Sequence, residues 1–130
     1  EIKLYFNQEF EIQKMHGSDT AYFDPQTHTI IHYKGKRVFL IGGELESESF
    51  NDFATGRAHF QGREGSYRDA EDGALSKNPI EHGPADSIIG FYALYASAQE
   101  RVCEYWIIAA QSIAEARTAH EHLRVRTPAR

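Results

Sequence analysis

The sequence predicts an α+β fold: an antiparallel β-sheet of about five or six strands, made from an N-terminal meander and a C-terminal hairpin, with two or three helices packed on one face. Three observations lead there. Residues 2–14 alternate apolar and polar side chains, and short apolar runs between residues 21 and 41 are separated by turn residues. Ser112-Ile113-Ala114-Glu115 then has the pattern that opens a capped helix.

In the first element Ile2, Leu4, Phe6, Phe10 and Ile12 occupy even positions. A period of two over this length means a strand with one buried face. A hairpin turn at Asn7-Gln8 would set Phe6 opposite Glu9 and Leu4 opposite Glu11, mixing the faces, so one strand bent near Gln8 is the better reading. His16-Gly17-Ser18-Asp19 reads as a turn into a strand at Ala21-Tyr22-Phe23. Asp24-Pro25-Gln26-Thr27 has proline where a type I turn takes it. Thr29 to Tyr33 returns, Lys34-Gly35-Lys36 reverses the chain, and Arg37 to Ile41 completes the meander, which Gly42-Gly43 ends.

After the meander a helix is expected. Ser47 or Ser49 serves as its cap, Phe50, Phe53, Ala54 and Phe60 recur at helical spacing, and Gly62 stops it. Gly56 costs such a helix about 1 kcal/mol relative to alanine. From residue 62 to 84 periodicity is weak, and a short helix around 67–76 would shorten that connection. The run 88–97 is apolar on both parities. Helical spacing fits Ile88, Phe91, Tyr92 and Tyr95, but the aromatic and β-branched content favours a strand, paired through a tip at Gln99-Glu100-Arg101 with the run beginning at Val102. In the last helix, Ile113, Ala116, His120 and Leu123 share one stripe.

With 130 residues, 41% hydrophobic and 25% charged, the chain reads as one domain, 1–130. No apolar run approaches membrane-spanning length, and the first residues lack the basic-then-apolar pattern of a signal peptide. Cys103 has no second cysteine to pair with, which points to a cytoplasmic location.

The net charge of −5 is uneven. Residues 44–73 hold eight acids against three arginines, residues 1–43 are balanced, and residues 101–130 carry a small positive excess. A protein that grips phosphates needs a concentrated basic face. Lys34, Lys36 and Arg37 at one hairpin tip do not make one, which argues against nucleic acid. An acidic segment favours a basic protein partner.

Candidate chemistry centres on residues 57–72. Arg57, His59, Arg63, Glu64, Tyr67, Arg68, Asp69, Glu71 and Asp72 are the candidate binding residues. His59 with a carboxylate has the residue types of an acid–base pair, and Gly62 to Ser66 could offer backbone N–H groups to an anion. The glycine spacing matches neither phosphate-loop pattern, and the loop's arginines and acids also suit simple surface pairing. No metal site is expected. His28 and His32 lie on or beside a strand, where four residues span ~13 Å, too far for one ion. No cofactor is expected, and Cys103, at the start of an apolar strand, suits packing better than nucleophilic attack. Tyr5, on the polar parity of the first strand, and Tyr92, Tyr95, Tyr105 and Trp106 are aromatic enough for a recognition surface, although core packing explains most such rings.

The function expected from these features is a small cytosolic binding module, an inhibitor or regulator acting on a protein partner through the acidic, glycine-rich segment 44–73. An exposed sheet edge would allow a homodimer. The alternative is an enzyme or nucleotide/phosphate binder using His59 and its neighbouring arginines beneath the glycine loop.

Overall fold

A computed structural model describes residues 2–10, 19–57, 75–83, 85–93 and 100–126. These hold nine strands: β1 (Ile2–Glu9), β2 (Thr20–Asp24), β3 (Thr29–Lys34), β4 (Arg37–Leu45), β5 (Glu48–Ser49), β6 (Asp52–Arg57), β7 (Ile80–His82), β8 (Ala85–Ala93) and β9 (Cys103–Ala110). One helix, α1 (Ile113–Arg126), is the only one among the described residues. The chain is therefore mostly β, and the α+β expectation with two or three helices is overturned.

The strands form two antiparallel sheets rather than one. The small sheet has the order β1-β8-β6. The large sheet runs β4-β3-β2-β7, with β5 paired to the end of β4 and β9 along its other edge. The meander β2-β3-β4 is present as its turn residues predict. The turn between β2 and β3 is wider than a type I turn: His28 adopts φ 55° and donates its N–H to Asp24 O at 2.8 Å.

The expected helix over the Phe50 region is strand instead. Phe50 and Phe53 both reach the core, with ring centroids 6.4 Å apart, because the chain bends at Asn51 between them. That bend imitates the i, i+3 spacing of a helix. Beyond it, Phe53 turns inward onto Phe23, while Ala54 turns outward to Ile88 and Leu75, as strand alternation requires. Phe60 and the short helix proposed around 67–76 lie, but for 75 and 76, outside the described residues.

The run 88–93 is strand, yet it does not pair with β9. β8 lies in the small sheet between β1 and β6, whereas β9 adds to the large sheet beside β4. Its apolar residues on both parities have a physical origin. Ile89 and Phe91 face the space between the sheets, and Ile88 on the other face is covered by Leu75 and Tyr5.

The core fills the space between the sheets: Ile30 and Ile41 from the large one, Ile89 and Phe91 from the small one, and Phe50 from the bend. On the outer face of the large sheet, α1 lays Ala116 against Ile31, Val38 and Leu40. Ser112 caps it as the sequence predicts, accepting the Glu115 N–H at 3.1 Å. Two corners tie the layers together. Thr55 N donates to Asn78 O, and Phe23 N to Pro79 O, so residues 75–79 lead from one sheet to the other. No helix among the described residues is long and apolar enough to cross a membrane.

Candidate binding face

Most buried polar groups are spent on holding the fold. His32, 1% exposed on β3, is the most suggestive of catalysis because its Nε2 lies 2.7 Å from Ser87 Oγ. The hydroxyl proton of Ser87 goes elsewhere, to Gln8 Oε1 at 2.8 Å, so His32 must donate to Ser87 rather than accept from it. A histidine in that role is no base for the serine. Gln8 closes the chain by donating to Tyr105 Oη and Phe6 O. Burial drives the His32 pKa down to about 3, so the ring is neutral at ordinary pH. This polar thread crosses the core and crosslinks β3, β8, β1 and β9.

A second network fastens α1. Arg117 donates twice to the buried Asp24 carboxylate, both at 3.0 Å, and Thr27 Oγ1 donates to it at 2.6 Å. Burial pushes the Asp24 carboxyl up, but the bonds from Arg117 and Thr27 outweigh it and hold the group below the usual carboxylate range. Trp106 Nε1 donates to His120 Nδ1 at 3.3 Å, with the indole laid against Gly42, where a Cβ would come within 2.6 Å of it. Burial depresses the His120 pKa. Cys103 is half-buried, and burial followed by the nearby Glu104 raises its thiol pKa, which leaves it a poor nucleophile. No cluster of three or more metal-ligating side chains occurs among the described residues.

The described surface opens at the rim of the small sheet. Tyr92, at the end of β8, is 43% exposed. Cross-strand register places Lys3 opposite Tyr92, and Tyr5 and Asp52 on either side of Gly90. Gly90 is required there, because a Cβ would lie 2.9 Å from the Tyr5 ring. Asn51 clamps the Tyr92 backbone like an added strand: its Nδ2 donates to Tyr92 O and its Oδ1 accepts from Tyr92 N, each at 3.0 Å.

Two clefts meet at this clamp. One, of 260 Å³, passes the β4–β5 turn and is bordered by Glu46, Glu48, Ser49 and Arg101. The other, of 200 Å³, is bordered by Lys3, Tyr5, Asp52 and Lys77. Asn51, Phe91 and Tyr92 line both. The β4–β5 turn is strained: Glu46 and Ser47 have φ of 51° and 71°, a left-handed pair that glycine or asparagine ordinarily fills. Hydrogen bonds offset that strain, with Glu46 N donating to Val102 O and Val102 N donating to Glu46 Oε1. Across the second cleft, Lys77 Nζ donates to Asp52 Oδ1 at 2.6 Å.

Of the residues that the sequence nominates, Arg57 ends β6 opposite Ala85, and nothing further is described of its side chain. His59, Arg63, Glu64, Tyr67, Arg68, Asp69, Glu71 and Asp72 lie outside the described residues. Among the acids of 44–57, three are engaged within the fold: Glu44 pairs with Arg124 at 3.3 Å, Glu46 holds Val102, and Asp52 holds Lys77 and the Leu75 N–H. Asn51, Asp52, Lys3 and Lys77 escape sequence reasoning. The usable signals are Tyr5 on the polar parity of β1 and a glycine inside the apolar run of β8, which marks a ring lying close on the backbone.

Neither known protein families nor curated proteins yield a match to this sequence. Among solved structures, the chain is similar to a bacterial glucoamylase in complex with acarbose, with a TM-score of 0.66 and 10% sequence identity. The similarity covers 96% of this chain and 18% of the glucoamylase chain, and at that identity it is a likeness of fold.

Proposed function

We propose that this chain is a non-catalytic β-sandwich module that serves a larger glucoamylase-like enzyme by binding rather than by chemistry. One observation carries the reading: nearly the whole chain superposes on a minor part of a glucoamylase. The use of the buried polar groups agrees with it. His32, Ser87, Asp24 and Arg117 are all committed to internal hydrogen bonds. The thiol of Cys103 suits the reducing cytosol, and a cytoplasmic location belongs to this proposal.

The reading is tested by immunoprecipitating the chain from cells that make it and measuring glucose release from maltooligosaccharides. The purified chain alone should release none, while the precipitate should be active. Activity of the purified chain itself, or an inactive precipitate, would overturn the proposal.

A second reading keeps a basic protein partner for the acidic stretch 44–73, or a second copy of the chain at a sheet edge. The exposed Glu48 at the tip of the β4–β5 hairpin and the outer edge of β9 favour it. Neutralising Glu48 together with Glu64, Asp69, Glu71 and Asp72 should then reduce capture of that partner.

A further inference from the structure

We infer that the paired clefts around Tyr92 form a surface site for a neutral oligosaccharide, laid across the tyrosine ring with sugar units in both lobes. The inference rests on the module reading above and supplies the ligand and the place. The first argument is shape. Both clefts are half-open rather than enclosed, so part of a ligand here stays in solvent. The lobes share Asn51, Phe91 and Tyr92, so they form one track suited to a chain of repeating units.

The second argument is charge. Lys3, Lys77 and Arg101 border the track together with Glu46, Glu48 and Asp52, three cations against three carboxylates. Such a balance gives little pull on a strongly ionic ligand but offers donors and acceptors to hydroxyl groups. The third is the aromatic surface. A pyranose ring presents an apolar C–H face with hydroxyls around its rim, which fits an exposed aromatic ring bordered by polar groups. The Lys3 ammonium lies over the Tyr92 ring, 5.5 Å from its centroid, so a sugar that stacks on this ring shares it with that cation.

Preorganisation is the fourth argument. The two Asn51 bonds fix the Tyr92 backbone, and Asp52 is already oriented by Lys77, Leu75 and Phe53. Less ordering is then left for the ligand to offset. With part of the ligand left in solvent, the expected affinity is weak, with a Kd of about 1 mM.

Isothermal titration tests this with maltoheptaose, cellohexaose and inorganic phosphate as probes. One of the two neutral oligosaccharides should bind, at least about tenfold more weakly to Tyr92→Ala. Tyr92→Leu keeps side-chain bulk while removing the ring, and it should lose binding equally; Tyr92→Phe should retain it. Ile107→Ala, on the large sheet, should bind as the wild type does. Flat isotherms for both oligosaccharides up to about 10 mM, heat from phosphate alone, or undiminished binding by Tyr92→Leu would overturn the inference. Flat isotherms beside an active immunoprecipitate would remove the site and leave the module reading standing. Sugar binding with an inactive precipitate would do the reverse.

Discussion

The two sheets treat their outer faces differently. The large sheet is closed by α1, whose Ala116 packs on Ile31, Val38 and Leu40 and whose Arg117 grips a carboxylate that is 1% exposed. The small sheet covers Ile88 and Ala54 but leaves Tyr92, Lys3 and the Asp52–Lys77 pair at the surface. Both faces contain aromatic rings beside charged groups. On the first, the partners of those groups lie within the chain, so the charge serves the fold. On the second, Asp52 and Lys77 also pair within the chain, but the rings border open clefts, where the proposed site lies.

Substitutions break or sharpen that contrast, and the largest effect falls on what the sheets share. Phe50→Ala empties the centre of the core and should cost about 3–5 kcal/mol in denaturant unfolding, with both sheets lost in one transition. Next is the latch on the closed face. Arg117→Met leaves the Asp24 carboxylate buried without its cation and should cost ~3 kcal/mol, most of it recovered in the double variant with Asp24→Asn.

The thread between the sheets gives a pH dependence. The folded pKa of His32, about 3, lies below the 6.5 of the unfolded group. Its contribution is therefore complete above pH 6.5 and is lost as pH falls toward 3, because only the unfolded chain takes up the proton. The slope is at most about 1.4 kcal/mol per pH unit. Chemical denaturation across that range should show a shallower acid loss for His32→Gln than for the wild type. Smallest is the open face: Tyr92→Ala should change stability by less than about 0.5 kcal/mol. A larger loss would make Tyr92 a structural residue and blur the contrast.

Legibility in the sequence followed the range of the interactions. The meander could be read because Pro25, Gly35 and the apolar runs between them act locally. The capped helix was equally plain, since Ser112 and Glu115 are three residues apart. Phe50 and Phe53 misled because a bend, not a helix, sets their spacing. The partner of β8 was hidden, because its pairing with β1 joins residues 77 to 91 positions apart and no local pattern encodes it. The binding face fared worst for the same reason. Lys3, Asp52, Lys77 and Tyr92 come from four segments and meet only through sheet register and the Asn51 clamp. The charge excess of 44–73 stands out in the sequence, yet three of its acids serve the fold.

The most direct test of this division is a map of backbone amide shifts in ¹⁵N-labelled protein during titration with the oligosaccharide that binds. The account predicts shifts at Lys3, Tyr5, Asn51, Asp52, Lys77 and Tyr92, with α1 and the helix-facing residues of β9 unmoved. Shifts centred on Arg117, His120 and Trp106, with the Tyr92 rim unchanged, would contradict it.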